Sequence, residues 1–123
     1  MKNIYTWAAQ PAQRNITVGE IIAAKGKKVL TQVTANNALE AKAAEEAGFD
    51  MIIGSAYNVK KVREGSKKLF YTAALELHNY PTAEDVLRGA FTALEKGADA
   101  VMTARSMDCL LYTSDAADEL LGV

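Results

Sequence analysis

Residues 45–54, EEAGFDMIIG, and residues 94–103, LEKGADAVMT, follow one pattern. Each runs from the end of a helical stretch through a glycine, one further residue and an aspartate into an apolar strand. Glycine readily takes the left-handed conformation that ends a helix. The short apolar run that follows Asp50 reads as a strand buried on both faces. The two glycines, Gly48 and Gly97, lie 49 positions apart. That distance accommodates two strand–helix units, so the echo predicts a repeated architecture in which parallel strands are joined by helical crossovers.

Working outward from the echo, the same alternation continues. Thr17-Val-Gly-Glu20 has the form of a capping box, which predicts a helix from Val18 to a stop at Gly26. Lys28 to Ala35 is short and β-branched and reads as a strand. Asn37 is placed to cap a second helix, in which Leu39, Ala43 and Ala47 recur at helical spacing before Gly48. Asp50 to Ala56 is a strand, NVKKVREG a short helix, and Lys68 to Leu77 a further strand. Thr82 caps the clearest helix, with Glu84 and Asp85 in its positive first turn and Val86, Phe91 and Leu94 along one side. Asp99 to Ala104 is a fourth strand. No glycine-rich phosphate loop follows the first strand, whose exit is TQVTANNALE, so a dinucleotide-binding fold is disfavoured. An open doubly wound sheet and part of a (β/α)8 barrel are the two architectures in play.

Composition narrows the function classes. With 123 residues the chain is one domain at most. Half of it is apolar and a quarter charged, the balance of a soluble globular protein. A net charge of −1 leaves no footprint for nucleic acid, and no apolar stretch is long enough for a membrane span. The single cysteine excludes an internal disulfide and, with no secretory signal at the start, points to the cytoplasm. The one basic cluster, Lys60 to Lys68, reads as a solvated helix and loop.

The last stretch, CLLYTSDAADELLGV (Cys109 to Val123), has neither period. Read as residues alone, Thr113 or Ser114 caps a short acidic amphipathic helix there. Every residue from Cys109 to Asp118, however, matches the in-frame translation of a transposase-type sequencing adapter. The expected organisation is therefore an N-terminal arm over residues 1–16, half a barrel over 17–108 and a non-native tail over 109–123. Native sequence then ends near Met107, and Cys109 is not a native thiol.

ITVGEIIAAKGKKVLTQVTANN, AEEAGFDMIIGSA and LFYTAALELHNYPTAEDVLRGAFTALEKGADAV together resemble the ketopantoate (3-methyl-2-oxobutanoate) hydroxymethyltransferases. These enzymes are members of the phosphoenolpyruvate mutase/isocitrate lyase superfamily. The resemblance implies α/β architecture: a partial (β/α)8 TIM barrel, about the first four strand–helix units. It also implies a place in pantothenate biosynthesis, with transfer of a one-carbon unit from methylenetetrahydrofolate to a 2-oxo acid whose enolate forms on magnesium. The family's metal-binding carboxylates have no counterpart here. Gly54-Ser55-Ala56 stands for Gly-Asp-Ser, Ala73-Ala74-Leu75-Glu76 for Ala-Asp-Leu-Pro, Met102-Thr103-Ala104 for Lys-x-Glu, and Asn36-Asn37 for Tyr-Asp.

Barrel active sites lie at the C-terminal ends of the strands. Those ends hold Thr34, Asn36, Ser55, Tyr57, Glu76, His78, Arg105 and Ser106. Glu76 and His78 are two apart on a stretch expected to be extended, which puts both on one face as a base and a polarising group. Arg105 can fork onto a carboxylate or phosphate, and Thr34, Asn36 and Ser55 can hydrogen-bond an oxo acid. No metal ligands are assigned. Trp7 and Tyr5 belong to the arm, by packing or as a partner surface. The leading expectation is a carbon–carbon bond transferase or lyase acting on a small-molecule 2-oxo acid. A sugar-phosphate epimerase or isomerase using Glu76 as base and a non-catalytic small-molecule-binding barrel are the alternatives. The full-length protein is expected to be a homo-oligomer, and four strands alone to be inactive, since open edges invite self-association.

Overall fold

The computed structural model describes residues 1–104. Arg105, Ser106 and the adapter-like stretch lie outside the described residues. An antiparallel hairpin of β1 (Lys2–Tyr5) and β2 (Pro11–Arg14) leads to α1 (Val18–Ala23). Then come β3 (Gln32–Thr34), α2 (Ala38–Ala47), β4 (Met51–Ser55), a 3-10 turn (Ala56–Asn58) and α3 (Val59–Gly65). β5 (Phe70–Leu75), α4 (Ala83–Glu95) and β6 (Ala100–Thr103) complete the described chain.

The four later strands form one parallel sheet in the order β3-β4-β5-β6. Spatial order follows chain order without reversal, so every crossover steps the same way. A doubly wound sheet reverses its order at a switch point, whereas a barrel does not. The architecture is therefore a partial (β/α)8 barrel.

Local chemistry explains the element boundaries. Glu20 N–H donates to Thr17 Oγ1 at 3.2 Å while Glu20 Oε1 accepts from Thr17 N–H, the reciprocal capping box. Thr82 and Asp85 repeat that arrangement at the start of α4. Asn37 Oδ1 caps α2 by accepting from Glu40 N–H at 2.8 Å. Gly48 (φ 85°) and Gly97 (φ 116°) take the positive-φ conformation after α2 and α4.

Three packing expectations are corrected. On α2 the buried side chains are Ala41 and Ala44, whereas Leu39 is 80% exposed and Ala43 and Ala47 also face solvent. The small side chains face inward because α2 and α3 cross closely, and a methyl group on Gly65 would overlap the Ala38 carbonyl. On α4 the core side carries Ala83, Val86 and Ala93, while Phe91 is exposed and meets Trp7 edge-on at a centroid distance of 5.0 Å. β4 buries Ile52 and Gly54 but leaves Met51, Ile53 and Ser55 half-exposed, because the helices pack on one side of the sheet. Val33, Ile52, Tyr71, Ala73 and Leu75 form that helix-side face of the core.

The basic cluster is also corrected at one position. Its lysines are exposed, but Arg63 is buried. Arg63 and Arg14 converge on Asp99 at the N-terminal ends of the strands. Arg14 Nε donates to both Asp99 oxygens at 2.9 Å, and Arg63 NH2 donates to Asp99 Oδ2 at 2.7 Å. Further N–H groups of the two donate to the carbonyls of Gln13, Ser66, Lys67, Leu69 and Gly97. Burial pushes the Arg63 guanidinium down to about 10, with Asp99 pulling the other way, so it is still charged at neutral pH.

Candidate active site at the C-terminal strand ends

The echoed aspartates work at the opposite end from the site. Asp50 Oδ2 accepts from Thr31 N–H at 2.9 Å, and Asp99 Oδ2 from Tyr71 N–H at 3.1 Å. Each ties the start of one strand to the start of its neighbour. At the C-terminal ends the groups are short, polar and more exposed.

Asn36 is a strut between two of these ends. Its Oδ1 accepts from Ser55 N–H at 2.8 Å and from Asn58 Nδ2 at 3.2 Å, while its own N–H donates to Glu40 Oε1. The carboxamide oxygen is thus committed to structure, and only its NH2 remains to meet a substrate. Gly54 is required beneath it, since a methyl group there would overlap the Ala35 carbonyl and crowd Asn36 Oδ1 and the Tyr71 hydroxyl. Ser55 Oγ accepts from Tyr57 N–H at 3.3 Å, and the Ser55 carbonyl accepts from Tyr71 OH at 2.9 Å. Burial pushes the Tyr71 phenol up to about 12, against the opposing pull of Arg63, so at neutral pH it is a donor. Thr34 and Ser55 share the face of the sheet away from the helices, with Ile53, Thr72 and Ala74.

Glu76 and His78 are not on an extended segment. β5 ends at Leu75 and the chain turns, with Asn79 N–H donating to Glu76 O at 3.1 Å and Tyr80 N–H to Leu77 O at 3.3 Å. Period-two logic fails in a turn, yet the two side chains still meet through a third. Asn79 Nδ2 lies 3.2 Å from Glu76 Oε2 and 3.3 Å from His78 Nε2. Glu76 is half-buried and His78 exposed. Tyr80 follows, stacked on Tyr57 at 5.9 Å, and its phenol is pushed up to about 12 by burial first and then by its hydrogen bond to Tyr57.

Asn79, Asn58 and Tyr71 were not singled out from the sequence. Asn79 lies beside His78, but nothing in the text HNY marks a turn that brings three side chains together. A groove of about 250 Å³ runs from Tyr57, Asn79 and Tyr80 along α4. A cavity of about 370 Å³ lined by Ile4, Trp7, Ile16, Phe70 and Leu94 lies at the other end, under the hairpin, away from these groups.

The described residues offer a divalent cation such as magnesium few ligands. Such a cation is held by one or two carboxylates with waters completing its octahedral shell. Among the described residues no three of His, Cys, Asp and Glu are grouped closely enough to hold a metal ion, and Glu76 is already engaged by Asn79. No helix among the described residues is long and apolar enough to cross a membrane.

No family model matches the chain. It is 32% identical to the 3-methyl-2-oxobutanoate hydroxymethyltransferase of Kosmotoga olearia over 70% of this chain and 40% of that one. Over that stretch the chain is ketopantoate hydroxymethyltransferase-like. Solved structures agree in fold. A 2,3-dimethylmalate lyase, itself a phosphoenolpyruvate mutase/isocitrate lyase superfamily member, superposes with a TM-score of 0.57 at 13% identity, covering 87% of this chain and 50% of that one. A phosphoenolpyruvate phosphomutase from Streptomyces platensis subsp. rosaceus gives 0.54 at 18% identity, covering 70% and 37%. This hydroxymethyltransferase-like chain thus spans two fifths of the curated relative and half or less of these solved structures.

Proposed function

We propose that the protein makes or breaks a carbon–carbon bond next to the carbonyl of a small 2-oxo acid, with Glu76 as the proton acceptor. The observation that carries this reading is the half-buried Glu76 carboxylate at the C-terminal end of β5, anchored through one oxygen by Asn79. A carboxylate held at a strand end, with amide, hydroxyl and imidazole groups beside it, can accept a proton alpha to a carbonyl. The C–H bond breaks, its proton passes to Glu76, and the electron pair forms an enolate whose oxygen needs donors. Asn36 NH2, Ser55 and His78 supply donors of that kind. Methylenetetrahydrofolate as the one-carbon source rests on the family alone, and no step here runs through magnesium.

The test is exchange of the C3 proton of 3-methyl-2-oxobutanoate in D2O, followed by proton NMR with the full-length protein. Exchange that falls at least tenfold in Glu76→Gln supports the reading. Absence of exchange, or exchange equal in both proteins, overturns it. A second reading, binding without catalysis, draws on Ser55, Ala74 and Ala104 standing where the family resemblance expects carboxylates. It predicts saturable 2-oxo acid binding with no exchange.

A further inference from the structure

We infer that Asn79 is a positioning residue which joins Glu76 and His78 into one acid–base unit and holds His78 as its Nδ1–H tautomer. The argument starts from which atoms can donate. A carboxylate is only an acceptor, so the Asn79 side-chain atom 3.2 Å from Glu76 Oε2 must be the amide nitrogen. A flipped amide would set oxygen against carboxylate oxygen, and the orientation is therefore fixed by chemistry. The same nitrogen lies 3.3 Å from His78 Nε2. An amide NH2 has two hydrogens and no lone pair to offer, so its second hydrogen points at Nε2 and that nitrogen accepts. A neutral ring with Nε2 as acceptor carries its proton on Nδ1.

One amide thus gives each partner a defined role. Glu76 keeps its second carboxylate oxygen, which takes no hydrogen bond from another described residue. His78 keeps Nδ1–H as its only ring donor. The base and the donor proposed above are those two atoms, and this functional half of the inference rests on the proposed function. The tautomer does not.

These 123 residues hold a single histidine, and in the full-length protein the His78 ring nitrogens are assigned as the signals that vanish in His78→Gln. Long-range proton–nitrogen correlation on the labelled full-length protein, above the pH where the imidazole is charged, reads the tautomer directly. The expected result is a majority Nδ1–H form in the wild type. Asn79→Ala shifts the tautomer ratio toward Nε2–H by about threefold or more, the size of one net hydrogen bond. Asn79→Asp, which keeps the shape but loses the donor, shifts it likewise, and Asn79→Gln restores it in part. A wild-type majority of Nε2–H, or a ratio unmoved by Asn79→Ala, overturns the inference. If the tautomer behaves as expected while 3-methyl-2-oxobutanoate shows no C3 exchange, the proposed function fails and the positioning role of Asn79 stands. If exchange occurs and depends on Glu76 but the tautomer is indifferent to Asn79, the inference fails and the proposed function stands.

Discussion

The two ends of the sheet are built from different chemistry. At the N-terminal ends, two buried guanidinium groups share one buried carboxylate, and backbone carbonyls take up most of their other hydrogens. Asn15 adds to this closure by donating to Asp50 O and accepting from Phe70 N–H, which staples the hairpin across the strand starts. At the C-terminal ends the groups are mostly neutral amides and hydroxyls, with the Glu76 and Glu40 carboxylates and the His78 imidazole among them. In barrels the first end serves stability and the second chemistry. Long side chains with many hydrogen bonds brace the fold, and short ones with unspent donors and acceptors are left to meet a ligand. Tyr71 joins the two regions, its N–H on Asp99 at one end and its hydroxyl on the Ser55 carbonyl at the other.

The largest expected effect is at the braced end. Asp99→Asn leaves two buried arginines without their counter-charge, and should cost about 3–5 kcal/mol in denaturant unfolding. A loss below about 1 kcal/mol would remove the contrast between the two ends. Next comes Gly54→Ala, where the added methyl collides with the Ala35 carbonyl. Overpacking of this kind costs about 1–3 kcal/mol, and the Ser55 and Asn58 amide signals should move with it because Asn36 is displaced. Smaller again is an alkaline effect through Tyr71, whose folded value of about 12 lies above its ordinary 10. The folded chain therefore holds a proton that the unfolded chain has lost, and this contribution is full below pH 10 and lost as pH rises through 12. Arg63, lowered to about 10, acts in the opposite sense above that pH. Tyr71→Phe should flatten the alkaline fall of stability and remove one late step from the tyrosinate absorbance titration. The smallest effect has the opposite sign. Ala9 holds φ at 59° in the hairpin turn, and Ala9→Gly should stabilise by about 0.5–1 kcal/mol as read by thermal unfolding.

That hairpin shows where reading residues stops short. Its turn has no glycine or asparagine, only an alanine forced into the left-handed region, so the arm gave no turn signal. The helices were legible because their ends are chemical: Thr17 with Glu20, Asn37, Thr82 with Asp85, then Gly48 and Gly97. The strand ends were legible to within a few residues, and the structure sets Asn36, Ser55 and Glu76 at or just beyond the ends of β3, β4 and β5. Glu76 and His78 do not share the extended face that their spacing suggests; a turn carries them, and Asn79 lies against both.

Caps, glycine stops and apolar runs act between residues a few positions apart, so the sequence by itself determined the order and type of most elements and the parallel α/β class. Which side of each element is buried depends on what arrives from elsewhere in the chain. Only the tertiary structure decided that Ala41 and not Leu39 faces the core, that Arg63 leaves its basic neighbours to meet Asp99, and that strand order never reverses. The physical reason is range: a hydrogen bond within a turn is written in adjacent letters, whereas burial and charge pairing are settled by groups 36 or 85 positions away.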